Sequence, residues 1–272
     1  MFWYNGKLID SQQLQLDLSE PGLCYGATTF TTMRVYNQSL NHPLTSWQAH
    51  CDRLSQSIRV FRWQQPNWQQ LRQGADLLSL HFSVLRIAVF PDGREWITGR
   101  DLPSDLKHRQ TQGITAWVAA DSLYRRELAE YKTGNYLSAY LARNRAREFN
   151  ASEAILVDYQ GNWLETSTGN LWGWRDGCWY TPSLDSGILP GIARSRLLNS
   201  FRDREIKVIE NIWTSEFVKT LSALYYSNCV VEIIPIKTVL HSTNHCFKYS
   251  MANWQTGMNQ IEKQTVRTSN EP

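Results

Sequence analysis

Lys132 lies in Glu130-Tyr131-Lys132-Thr133-Gly134-Asn135-Tyr136-Leu137, directly before a small-residue turn and an apolar helical stretch. A desolvated ammonium loses its charge near neutral pH and becomes a nucleophile that can form a Schiff base. Glu165 lies in Leu164-Glu165-Thr166-Ser167-Thr168-Gly169-Asn170-Leu171, where a carboxylate could hold a proton on a ring nitrogen. Leu189-Pro190-Gly191-Ile192-Ala193-Arg194 puts Pro-Gly before a helix, and the backbone N–H groups of a helix start suit phosphate. Arg53, in His50-Cys51-Asp52-Arg53-Leu54, offers phosphate a planar fork of donors. Taken singly, each has a plain reading: a solvated lysine, a strand-end glutamate facing water, an ordinary turn before a helix, a surface arginine.

The elements that must position these residues follow from periodicity and turn signals. Residues 2–9 and 30–41 alternate as strands, with turns at Asn5-Gly6 and Asn37-Gln38. Helical spacing runs over Trp47–Phe61, with Thr45 or Ser46 as its cap, and over Trp68–His81. Strands are expected at Val84–Phe90 and Gly113–Ala120. Asp121–Glu130 is polar and reads as a linker, followed by a helix over Tyr136–Phe149. Short strands follow at Ala154–Asp158, Trp163–Thr166, Asn170–Arg175 and Cys178–Thr181. A helix at Ile192–Phe201 and a strand at Ile206–Ile209 come next, then a helix at Thr214–Leu221 capped by Thr214. Strands at Ala223–Tyr226 and Val230–Ile236 and a helix at Phe247–Ile261 complete the reading. The polar tail Lys263–Pro272 is expected to fray. This is a mixed α/β (α+β) chain of two domains: a small one over 1–118, a loop over 119–130, and a larger one over 131–272 carrying Lys132.

Composition narrows the function. The 272 residues carry 28 Lys+Arg against 25 Asp+Glu, a net charge of +3, with no clustered basic stripe for a nucleic acid. No apolar run approaches the ~20 residues of a membrane span. The N-terminus lacks the pattern of a secretory signal. The 5 cysteines are scattered singly, which argues against a disulfide framework or zinc ribbon. His241 and His245 have metal-ligand spacing but sit in a polar loop, so no metal is expected. A cytoplasmic location follows. The 12 Trp, 12 Tyr and 9 Phe point to core and interface packing, or to a pocket for a flat ligand. None of the tryptophans falls within the lysine or Pro-Gly motifs, which favours packing.

A Schiff-base lysine, an acid for a pyridine nitrogen and a phosphate cup are together what pyridoxal phosphate requires. Lys-x-Gly-Asn-Tyr-Leu, then Glu-x-x-x-Gly-Asn-Leu, then Leu-Pro-Gly-Ile-x-Arg resemble, in this order, the class IV aminotransferases. These are the fold-type IV pyridoxal-phosphate enzymes, with a D-amino-acid aminotransferase-like fold. The resemblance runs from Asn5-Gly6 to the terminal helix. It implies a homodimer in which Lys132 carries the cofactor and Glu165 meets its ring nitrogen. It makes Arg53 a phosphate ligand, with the backbones of Ile192 and Ala193. Asn228 and Cys229 close the cup, and Thr168 and Asn170 belong to the cofactor site. Many members have Thr where Ala193 stands, so a hydroxyl contact is absent here.

Within that family, Tyr25-Gly26-Ala27-Thr28-Thr29-Phe30-Thr31-Thr32-Met33-Arg34-Val35 looks like aminodeoxychorismate lyase. Branched-chain enzymes usually show Phe-Glu-Gly-x-Arg in that place. Period-2 alternation puts Phe30, Thr32 and Arg34 on one face. Ser227-Asn228-Cys229 lacks the Ser-Gly-Thr-Ala of branched-chain transaminases, although Glu232-Ile233-x-Pro235 is shared with them. The resemblance therefore implies a lyase acting on a dicarboxylate, 4-amino-4-deoxychorismate. Arg34, Arg94, Arg125 and Arg126 are the candidate cations for its carboxylates, and Tyr25, Phe30 and Thr32 line the pocket. The alternatives are an aminotransferase for branched-chain or D-amino acids, using the same Lys132 and Glu165, and a non-catalytic binding protein of the same fold. The intact lysine and glutamate speak against the last.

Overall fold

A computed structural model describes residues 1–242 and 245–262. The tail from 263 onward and residues 243–244, between the two spaced histidines, lie outside the described residues. The chain divides into two compact units, Met1–Ser104 with Leu128–Tyr136, and Asp105–Glu127 with Leu137–Pro272.

In the first unit, strands β1 (Phe2–Tyr4) and β2 (Lys7–Ile9) form a hairpin, and Asn5 and Gly6 take the positive φ of 45° and 77° that such a tight turn requires. A short helix, α1 (Pro21–Cys24), precedes β3 (Thr29–Arg34). Helices α2 (Trp47–Phe61) and α3 (Trp68–Ser79) then lead to β4 (Val84–Val89) and β5 (Glu95–Arg100). The five strands form one antiparallel sheet in the order β2-β1-β5-β4-β3. Leu54 and Ile58 of α2 and Leu71, Ala75 and Leu78 of α3 recur at helical spacing and pack with Met33, Leu85, Ile87 and Val89 in one core. Those strand residues alternate, which leaves Phe30, Thr32, Arg34 and Arg86 on the other face. Helix α2 has the expected bounds and Ser46 as its N-cap residue. Ser46 is left-handed and makes no side-chain cap bond, while the Thr45 hydroxyl donates to the Ser39 carbonyl.

The second unit begins with α4 (Leu106–Gln112) and β6 (Ile114–Ala119). The expected boundary at residue 118 falls inside β6, because this strand pairs with strands far along the chain. Helix α5 (Leu137–Glu148) is followed by β7 (Glu153–Val157), β8 (Trp163–Thr166), β9 (Asn170–Arg175) and β10 (Cys178–Pro182). Then come α6 (Ile192–Asp203), β11 (Val208–Asn211), α7 (Ser215–Lys219) and β12 (Ala223–Asn228). The Thr214 hydroxyl caps α7 by accepting from the Phe217 N–H, as the sequence suggested. The last elements are β13 (Glu232–Ser242), β14 (His245–Lys248) and α8 (Met251–Glu262). Phe247, read as helical, belongs to β14, which pairs with β13.

The sheet order is β11-β10-β9-β12-β13-β6-β7-β8, with β14 on β13, and β8 also pairs β9, so the middle strands close on themselves. Trp172, Trp179, Phe201, Tyr225 and Trp254 pack in a single core against this sheet. That core takes Trp172, Trp179 and Trp254, three of the 12 tryptophans, as plain packing.

Candidate active site

Residues 128–136 leave the polar segment and return to the first unit, so Lys132 belongs to that unit and not to the larger one. The reason is local pairing along β3. The Phe30 N–H donates to the Lys132 carbonyl at 2.8 Å, and the Gly134 N–H donates to the Thr28 carbonyl at 2.7 Å. The Thr29 hydroxyl adds a bond to the same Lys132 carbonyl at 3.3 Å. The backbone of the lysine is thereby held as an added strand, and its side chain is directed by aromatics. Lys132 Nζ donates to the Tyr136 hydroxyl at 3.1 Å and stands 4.7 Å from the Phe30 ring centroid. Phe30 and Tyr136 meet edge to face at 5.4 Å.

The Phe30 ring carries a second cation, which the sequence reading missed. Arg86 on β4 places its guanidinium carbon 4.2 Å from the Phe30 centroid and 5.6 Å from that of Trp96. Burial lowers its proton affinity, and among the described residues no carboxylate pairs with it. The signal was present in the alternation of Val84–Phe90, where Arg86 interrupts an apolar strand. Its partner Thr32 across the β3–β4 ladder puts it on the Phe30 face.

The arginines named from sequence are engaged elsewhere. Arg94 pairs with Glu20 and Asp92, each at 2.5 Å, and donates to the Tyr4 hydroxyl. Arg34 stacks on Tyr36 at 4.6 Å and Arg125 on Tyr159 at 4.2 Å. Arg126 forms an ion pair with Glu165 at 2.5 Å, with side chains only 5% and 6% exposed. Tyr25 is 81% exposed at the end of α1.

In the second unit Glu165 lies on β8, where alternation buries it with Trp163. Its other oxygen accepts the Leu189 N–H at 3.3 Å. Asn170 reaches the same loop, its amide donating to the Leu189 carbonyl at 2.9 Å. The two side chains thus hold the segment that enters α6. Buried Glu153 clamps the intervening turn by accepting from the Ser167 hydroxyl at 2.6 Å and the Thr168 hydroxyl at 2.8 Å. Desolvation pushes the Glu153 carboxyl up, against Arg143 and the two hydroxyls. Asn228 ties in the β12–β13 turn, donating to the Thr168 carbonyl at 3.2 Å and accepting the N–H groups of Val230 and Val231. Cys229 lies beside it, half-buried.

Helix α6 begins at Gly191 with no side-chain cap, yet Ile192 and Ala193 are buried. A buried helix start whose N–H groups meet no cap calls for an anionic partner, and the donor set suits the phosphate that the sequence implies. Gly191 is required by close approach: a Cβ there would lie 2.0 Å from Asn170 Oδ1. Gly191→Ala should displace Asn170 from the Leu189 carbonyl at a local cost of about 1–3 kcal/mol. Cofactor retention after dialysis is expected to fall roughly five- to hundredfold.

Among the described residues no cluster of His, Cys, Asp or Glu could hold a metal ion, and no helix is long and apolar enough to cross a membrane.

Known proteins share this fold. The amino-transferase class IV family matches residues 28–239. The chain is 24% identical over 264 residues to the branched-chain-amino-acid aminotransferase of Escherichia coli, covering 87% of this chain and 84% of that protein. It is 26% identical over 254 residues to the D-alanine aminotransferase of Listeria monocytogenes, covering 85% of each. The solved structure of the 4-amino-4-deoxychorismate lyase from Pseudomonas aeruginosa shares the fold with a TM-score of 0.77, at 19% identity and over 97% of this chain and 99% of that one. With a family match across most of its length, this chain belongs to the class IV amino-transferases, mixed α/β enzymes whose cofactor is pyridoxal phosphate.

Proposed function

We propose that the chain is a 4-amino-4-deoxychorismate lyase, releasing 4-aminobenzoate and pyruvate for folate synthesis, and that it works as a cytoplasmic homodimer. The observation that carries this reading is Arg86, a guanidinium without a carboxylate partner over the same Phe30 ring as Lys132. It is a ready site for one carboxylate of a dicarboxylic substrate. The Phe30-Thr31-Thr32 string and a full-length likeness to a lyase structure support it.

Lys132 would hold the cofactor's aldehyde carbon, Glu165 its ring nitrogen, and Arg53 with the Ile192 and Ala193 N–H groups its phosphate. When bound, pyridoxal phosphate supplies an electron-withdrawing ring that stabilises negative charge on the carbon next to the substrate nitrogen. Glu165 would keep a proton on the ring nitrogen. Lys132 Nζ would take the proton from the amine-bearing ring carbon of the substrate. Tyr136, hydrogen-bonded to Lys132 Nζ, orients that nitrogen. Handed on by Lys132 to the enolpyruvyl methylene, the same proton would let the C–O bond break, so that pyruvate leaves and the ring becomes aromatic. Phe30 provides an apolar wall for that ring.

The test is pyruvate release from enzymatically generated aminodeoxychorismate with no keto acid added. Turnover that instead requires 2-oxoglutarate and an amino acid establishes the second reading, an aminotransferase for branched-chain or D-amino acids. The identity to such enzymes is what favours that reading. Arg86→Gln is expected to raise KM about ten- to hundredfold with little loss of kcat or stability, because a charge-assisted bond contributes roughly 1.5–3 kcal/mol. An unchanged KM removes Arg86 from substrate binding. Sedimentation should give a dimer.

A further inference from the structure

Thr31 sits on the helix-facing side of β3 and is fully buried. Arg53 Nη2 on α2 donates to its hydroxyl oxygen at 2.7 Å, and His50 Nδ1, one turn earlier on α2, lies 2.5 Å from the same oxygen. A threonine hydroxyl has one proton and two lone pairs, and a guanidinium can only donate. The Arg53 bond therefore takes one lone pair, and the contact with His50 Nδ1 uses either the second lone pair or the hydroxyl proton, according to the imidazole's tautomer.

We infer that Thr31 is a positioning residue for Arg53, with His50 Nδ1 holding the same hydroxyl from one turn earlier on the helix. The strand and the helix together aim a guanidinium whose long side chain otherwise has many rotamers. The inference rests on Arg53 being the phosphate ligand and adds what holds it in place. Thr31 is fully buried beneath Arg53, so its effect is expected to pass through the guanidinium to the phosphate.

The experiment compares binding of pyridoxal phosphate with that of pyridoxal, which lacks the phosphate, to the stripped full-length protein. Thr31→Val keeps the shape and removes the hydroxyl. Its Kd for pyridoxal phosphate is expected to rise about tenfold or more, while that for pyridoxal stays within about twofold. Thr31→Ser, which restores the hydroxyl, should recover most of the phosphate preference. A merely structural role would weaken both ligands alike, and that outcome overturns the inference. Arg53→Gln is the control for the underlying reading. If it abolishes the phosphate preference while Thr31→Val leaves it intact, Arg53 stands as the ligand and the positioning role of Thr31 fails. If Arg53→Gln leaves the preference intact, the phosphate assignment itself is wrong. Should Thr31→Val not fold, Thr31→Cys, which keeps the size and offers only a weak acceptor, carries the same comparison of the two ligands with the same outcomes.

Discussion

Lys132→Ala is expected to lower turnover by at least about 10²–10⁴-fold, the usual contribution of a positioned general base, with the loss of the covalent cofactor link added to it. Borohydride reduction of the wild-type enzyme should place the label on the peptide containing Lys132, and in the variant no peptide should be labelled. The fold should be little affected. The Lys132 backbone supplies the pairing with Phe30 and Thr29, and alanine keeps that backbone. Its side chain contributes a hydrogen bond to Tyr136 and contacts with two rings, none of which the core requires. A melting temperature near wild type combined with lost turnover separates chemistry from stability. A small primary amine added to the variant should restore part of the proton transfer, because the space left by the side chain stays lined by Phe30 and Tyr136. A label on another lysine, with activity retained in Lys132→Ala, would falsify the assignment.

Glu165→Gln should act on two quantities at once. The amide cannot hold a proton on the cofactor ring as a carboxylate does, and turnover is expected to fall roughly 10²-fold or more, with the covalent link to Lys132 still formed. The amide also leaves buried Arg126 with an acceptor but without the Glu165 charge. Removing one partner of a buried pair outright costs about 3–5 kcal/mol, and the isosteric amide should cost less, on the order of 2 kcal/mol. Glu165→Ala should show the full penalty as a larger drop in Tm. The double variant Arg126→Gln with Glu165→Gln is the informative one. It should recover most of the stability, since no unpaired charge remains, and none of the turnover. Recovery of turnover in the double variant means that the charge balance of the pair, rather than the Glu165 carboxylate, supports the reaction. This coupling also changes the role of Arg126, which the sequence offered only as a cation for substrate.

Local elements were legible where one signal dominated. The bounds of α2, β8 and β9 follow from spacing and turn residues alone, and so does the Asn5-Gly6 hairpin. Ser46 stands at the cap position of α2 without a side-chain bond, and the terminal helix starts later than its spacing suggests because Phe247 is drawn into a strand by Val239 of β13. The domain boundary was misplaced for a similar reason. A strand such as β6 looks the same in sequence whichever sheet it joins, and only long-range pairing with β7 and β13 assigns it.

By itself the sequence marked the candidate chemistry-bearing set: Lys132 before its small-residue turn, Glu165 before Gly-Asn, Pro-Gly before α6, and Arg53 on a helix. These are short-range patterns, since a turn, a helix start or a reactive side chain is specified by a few adjacent residues. Tertiary structure decided which charges are already satisfied. Arg94 is matched by Glu20, which is remote in sequence, and Arg126 by Glu165, while Arg86 rests on Phe30 through strand pairing. Charge pairing depends on distance and burial, and neither can be read along a chain whose partners lie tens of residues apart.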